Sequence, residues 1–170
     1  MTTSLPRRKS GGPLYSEAER KRRDQSPWTL VQGILAPLQF VVFLVSVVLV
    51  LYALFTRQGE YAAAVSVVVK TLVLYTIMIT GSLWEKDVYG QYLFAPAFFW
   101  EDAVSFVVIA LHTAYISALM TGWLTTQQQL VLALSAYAAY VVNASQFLLK
   151  LRSARLQQRN AAIGNLEAAR

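Results

Sequence analysis

The sequence predicts an all-α integral membrane protein, a bundle of four transmembrane helices with both termini in the cytoplasm. Of its 170 residues 56% are apolar and only 14% are charged, whereas a soluble domain carries about a quarter charged residues. The apolar residues gather into four runs, each at least as long as the about 20 residues that a helix needs to cross a bilayer core. All the basic residues but Lys70 stand outside those runs. Seven precede the first, four lie between Lys150 and Arg159, and only Arg57 falls in the two short connections. Basic residues stay on the cytoplasmic side, which places both ends there.

Taken in order, residues 1–13 are rich in Ser, Thr, Pro, Gly and basic residues without apolar periodicity, and read as a disordered tail. Ser16 can cap a short surface helix through Asp24, whose Glu17 and Glu19 suit the positive end of its dipole. Residues 14–156 then form the transmembrane domain, with spans at about 28–55, 61–83, 103–123 and 130–149, and residues 157–170 form a C-terminal cytoplasmic tail. The connections 56–60 and 124–129 are short, so the spans they join are antiparallel neighbours. The connection 84–102 is long, aromatic and acidic, and faces the cytoplasm. The first run starts near Trp28, is longer than a signal-peptide core and lacks a small-residue cleavage pattern, so it is expected to remain as a span. There is no internal or inverted repeat.

Composition also excludes chemistry. The net charge of +6 sits beside hydrophobic runs, which suits a lipid bilayer and not a nucleic acid. With no cysteine, disulfides, thiolate metal sites, cysteine-ligated clusters and cysteine nucleophiles are ruled out. One histidine rules out a multi-histidine metal site within the chain. No nucleotide-binding loop, nucleophile elbow or haem-attachment motif is present.

Polar residues inside a span are costly unless they face a partner or a wet cavity. Here they fall on one side of each helix: Thr29, Gln32, Gln39 and Ser46 in the first; Ser66, Lys70, Gly81 and Glu85 in the second; Glu101, Ser105 and His112 in the third; Asn143, Gln146 and Lys150 in the fourth. His112 lies about 15 Å along the helix from Asp102, near mid-membrane, as do Lys70 and Gln39. Glu85, Glu101, Asp102, Gln32 and Asn143 belong to the cytoplasmic half. The expected result is a polar funnel, charged at its mouth, that would suit an amphiphile. Plainer readings stand beside this one: the amides can simply join helices, Lys70 can snorkel, and Trp84, Tyr89, Tyr92, Phe98, Phe99 and Trp100 can form an interfacial belt. His112 can be a packing residue, and Glu85, Asp87, Glu101 and Asp102 ordinary surface charge. The residues alone do not identify a substrate.

At these positions the chain resembles the 3-vinyl bacteriochlorophyllide hydratases, from about Leu14 to Leu156. The clearest blocks are SPWTLVQGILAPLQF at 26–40, WEK at 84–86, GQYLFAPAFFWED at 90–102, ALHTAY at 110–115 and YVVNASQFLLKLR at 140–152. Asp87 departs from the family pattern, which is apolar there. The resemblance implies a lyase of bacteriochlorophyll biosynthesis, a multi-pass protein of the bacterial inner (intracytoplasmic) membrane. It implies addition of water to the C3-vinyl group of a chlorophyllide or bacteriochlorophyllide, giving a 1-hydroxyethyl group. The reaction is redox-neutral, so no cofactor is expected, and the magnesium belongs to the substrate. Expected partners are that substrate and the bilayer. Direct hand-over from neighbouring pigment-biosynthesis enzymes is left open.

On this reading Glu85, Glu101, Asp102 and His112 are the catalytic candidates, and Lys70, Trp84, Tyr92, Phe99, Trp100 and Asn143 line the substrate site. A protonated carboxyl would deliver a proton to the terminal vinyl carbon, and a neighbouring carboxylate or His112 would hold the attacking water. Clustered like charges and partial desolvation are expected to keep one carboxyl protonated and leave another ionised. His112 has a second candidate role as a ligand of the substrate's magnesium, and the propionate has candidate partners at 20–23, Lys150 and Arg152. The main alternative is a non-catalytic tetrapyrrole-binding or photosynthetic assembly protein, which needs the histidine and aromatics but no acid. A small transporter ranks third, for want of repeats and broken spans.

Overall fold

The computed structural model describes residues 14–168, and the N-terminal tail expected at 1–13 lies outside them. Five helices follow one another: α1 (Glu17–Gln25), α2 (Pro27–Thr56), α3 (Glu60–Tyr89), α4 (Phe99–Thr121) and α5 (Thr126–Ala168). The four long ones are long and apolar enough to cross a membrane. Three of the expected spans each lie inside one of them; the other, 103–123, overruns α4 by two residues, because Gly122 with φ of 68° ends the helix. Elsewhere the helices run further than the apolar runs, because nothing in the flanking sequence breaks them. α3 carries on through Trp84, Glu85 and Lys86 to Gly90, whose positive φ of 84° ends it, a conformation that costs glycine little. α5 continues well past Leu149; at 43 residues it is about 64 Å long, roughly twice the hydrocarbon thickness.

α2 packs most extensively on α3 and α4 on α5, while α2–α5 and α3–α4 contacts close the bundle. Lipid-like surroundings give little hydrophobic drive for helices to associate, so interhelical hydrogen bonds and close packing carry more of the task. Gln32 Nε2 donates to Thr80 Oγ1 at 2.7 Å, Ser46 and Ser66 hydroxyls meet at 2.7 Å, and Ser46 also meets the Tyr137 hydroxyl. Bonds of this kind contribute about 0.6 kcal/mol each on average in a membrane bundle. The core proper is apolar and aromatic, with Phe43, Val50, Val67, Leu74, Val108, Tyr115, Leu130 and Tyr137 buried in it. Leu30, Phe55, Ile79, Met120 and Leu148 are among the large apolar side chains left on the outer faces, as lipid contact requires.

α1 is built as expected. Ser16 and Glu19 form a reciprocal capping box, and the helix packs on α3. Tyr15 stacks on Tyr89 with centroids 6.2 Å apart, and Arg23 sits 4.8 Å from the Tyr15 centroid. Burial pushes the Tyr15 hydroxyl up from its ordinary pKa. Ser26 Oγ donates to Asp87 Oδ2 at 2.7 Å, so Asp87 ties the start of α2 to α3.

Candidate active site

The last two turns of α3, the first turn of α4 and the irregular segment 90–98 between them enclose a group of carboxyls. Glu85 (5% exposed), Asp102 (3%) and Glu101 (7%) are all buried. The open, charged funnel mouth expected from sequence is therefore closed, because the connecting segment folds down over it. Two backbone amides hold it there: Phe94 N–H donates to Asp102 Oδ2 at 2.7 Å, and Ala95 N–H donates to Glu85 Oε2 at 3.1 Å. Phe94 reaches this position with φ of 57°, a left-handed conformation that costs a bulky residue on the order of 1 kcal/mol or more. Its ring compensates by stacking on Phe106, centroids 5.4 Å apart, and by packing on Phe99.

Because consecutive amides, of Phe94 and Ala95, hold them, the carboxyls of Asp102 and Glu85 are brought side by side. Glu101 is placed differently. Its Oε2 forms an ion pair with Lys150 Nζ of α5, and Lys150 also sits 4.9 Å from the centroid of Phe98. The three acids thus divide into a neighbouring pair and a single carboxylate neutralised by a cation. Both Glu101 and Asp102 occupy the first turn of α4, where the helix dipole favours negative charge.

Beneath the carboxyls, Asn143 Nδ2 donates to Ser105 Oγ at 2.8 Å. Deeper still lie Lys70 and His112, both fully buried. His112 Nδ1 faces Val108 O at 2.8 Å, its ring is 5.9 Å from that of Tyr137, and Lys70 Nζ sits 3.8 Å from the centroid of Tyr140. Lys70 thus faces the bundle, as its position in the expected stripe implied. The fold separates this second group from the acids, with Ser105 and Asn143 between.

The aromatic candidates also separate. Trp84 Nε1 donates to Thr29 Oγ1 at 2.9 Å, and its ring packs edge-on against Tyr89 and Phe98, so it clasps α2 to α3. Tyr92, Phe99 and Trp100 are exposed, Trp100 at 72%; with Phe94 and Phe106 they form an outward-facing aromatic strip beside the carboxyls. Gln32 serves as a helix tie to Thr80. Sequence reasoning did not find the Lys150 partnership with Glu101, although opposite charges at facing ends of antiparallel spans are a readable signal. The two amides that hold the carboxyls have no sequence signal, since every residue but proline offers one.

A bundle with lipid-compatible outer faces and a buried group of carboxyls at one end defines a small multi-pass membrane protein with an internal acidic cluster. A family model described as 2-vinyl bacteriochlorophyllide hydratase matches residues 15–153, and the chain belongs to that family. The 2-vinyl bacteriochlorophyllide hydratase of Rhodobacter capsulatus is 62% identical over 161 residues, covering 95% of this chain and 94% of the relative. That of Cereibacter sphaeroides is 62% identical over 148 residues, covering 87% and 92%. These names place the vinyl group at position 2, where the expectation above counts it as 3. No solved structure matches the chain.

Proposed function

We propose that this chain hydrates the vinyl group of a chlorophyllide or bacteriochlorophyllide to a 1-hydroxyethyl group, and that the Glu85–Asp102 pair supplies the proton. The observation that carries the assignment is the burial of those two carboxyls on adjacent amides of the 90–98 segment, beside a carboxylate already paired with Lys150. The proton goes to the terminal vinyl carbon, and positive charge develops on the carbon attached to the ring, where conjugation spreads it. Water attacks that carbon and loses a proton to the carboxylate pair or to Glu101. One water is consumed, the two-carbon arm gains one carbon–hydrogen and one carbon–oxygen bond, and no electron leaves the system.

The macrocycle would lie against the outward strip of Phe94, Phe99, Trp100 and Phe106, which offers apolar faces next to the acids. The magnesium enters with the substrate, and the reaction asks for no other cofactor. His112 is a poor partner for that magnesium, because it is fully buried three turns below the carboxyls, where a rigid macrocycle cannot reach without parting the helices. A bacterial inner membrane with both termini cytoplasmic suits this reading, since the basic tails and the 90–98 segment then share one side.

The test is incubation of the purified protein in detergent with the vinyl pigment, in water and in deuterium oxide. The expected product is heavier by one water, has a blue-shifted red absorption band, and carries one solvent deuterium in the new methyl group. Pigment that binds but emerges unchanged would favour the pigment-holding alternative.

A further inference from the structure

Several deeply buried polar atoms have no hydrogen-bond partner among the described residues: Gln39 Oε1 on α2, Lys70 Nζ on α3, His112 Nε2 on α4, and Asn143 Oδ1 and Gln146 Oε1 on α5. Lys70, His112, Gln39 and Asn143 are each more than nine-tenths buried. Buried polar groups are nearly always paired, because an unpaired one forfeits its hydration. So many unpaired atoms in one bundle interior point to an occupant.

The atom types narrow its chemistry. Lys70 can only donate. The amide oxygens accept, and so does His112 Nε2, because Nδ1 faces the Val108 carbonyl and therefore carries the ring proton. An anion would suit Lys70 and be repelled by the acceptors; a metal cation would suit the acceptors and be repelled by Lys70. The apolar macrocycle would satisfy none of them. Water both donates and accepts, and buried waters typically make about three such bonds to otherwise unsatisfied groups.

Their order along the helices gives the occupant a direction. On α5, Tyr140, Asn143, Gln146 and Lys150 rise along one face toward the carboxyls at helical spacing, and on α4 Glu101, Ser105 and His112 descend from them. Asn143 bonds Ser105, Lys150 bonds Glu101, Lys70 lies over Tyr140, and Lys70 is within electrostatic range of His112. We infer that the bundle holds a file of ordered water from Lys70 and His112, past Asn143 and Gln146, to the carboxyls. On the hydratase reading, which this role rests upon, the file stores the second substrate. Water then reaches the reacting carbon from inside while the macrocycle covers the outer side.

Because the chain has one histidine, its ring nitrogens give unique signals. Water-edited solid-state NMR of the full chain, with labelled histidine and lysine in liposomes, should show magnetisation passing from water to the His112 ring and Lys70 amine far faster than to buried Val and Leu methyls. Transfer as slow as to those methyls would overturn the water file. Asn143→Leu and, independently, Gln146→Leu should cut transfer to His112 several-fold and lower kcat with KM for the pigment held. Parental turnover in a variant that has lost the water signal would overturn the supply role. A parent chain that shows the water signal but hydrates nothing would instead count against the hydratase reading and leave the file standing.

Discussion

Glu101 and Lys150 face each other across the α4–α5 interface, largely out of water, and each determines the state of the other. Removing the cation would leave a buried carboxylate uncompensated, a change that costs far more than the pair itself contributes. Lys150→Met should therefore lower both turnover and thermal stability, whereas Lys150→Arg, which keeps a cation and adds a fork of donors, should restore most of both. Equal losses in the two variants would show that the charge is irrelevant to Glu101. Lys70 poses the opposite case: its amine is buried without a hydrogen-bond partner, and Met fills nearly the same volume. Lys70→Met should melt at the same or a higher temperature in detergent yet hydrate pigment more slowly; a lower melting point would mean that the amine holds the fold. At this scale sequence reasoning went far. Each polar side chain in a span had to be justified, and Glu85, Glu101, Asp102, His112, Lys70 and Asn143 all prove buried. What it could not supply was pairing, because neighbours such as Glu85 and Asp102 depend on helix register and tilt and not on spacing along one helix.

The segment 90–98 shows how elements were harder to read than residues. Its aromatics suggest an interfacial belt, and Tyr92, Phe99 and Trp100 do face outward. Phe98, however, is buried against Trp84, Tyr89 and Phe147. The same residue type serves both places, so composition cannot sort them. Helices likewise run several residues beyond most of the expected spans, since hydropathy marks where lipid ends and Gly90 marks where α3 ends. Trp84 belongs to the clasp between α2 and α3, and its hydrogen bond to Thr29 contributes about 1 kcal/mol. Trp84→Phe keeps a ring against Tyr89 and Phe98 but loses that bond. A fall of a few degrees in melting temperature, with KM for pigment unchanged, is the expected result; a raised KM with parental stability would return Trp84 to the substrate site.

At the scale of the whole molecule, the proposed orientation would put 14–26, 90–98 and the end of α5 on one side, with Arg57 and Thr125 on the other. Reporter fusions at those positions should give cytoplasmic signals for both ends and periplasmic signals for Arg57 and Thr125. A terminus found outside would remove the 90–98 segment from the cytoplasmic face. Span number was legible because length and hydropathy follow from bilayer thickness alone. The closed roof over the acids was not, because it depends on two backbone amides and one left-handed Phe94. That roof and the carboxyls beneath it carry the central claim, and carboxamide substitution tests it most directly. Glu85→Gln and Asp102→Asn keep shape but cannot pass the proton, so single-turnover hydration should slow by about 100-fold or more while pigment binding, followed by absorbance, stays near that of the parent. Hydration within a few-fold of the parent in both variants, with pigment bound, would contradict the account.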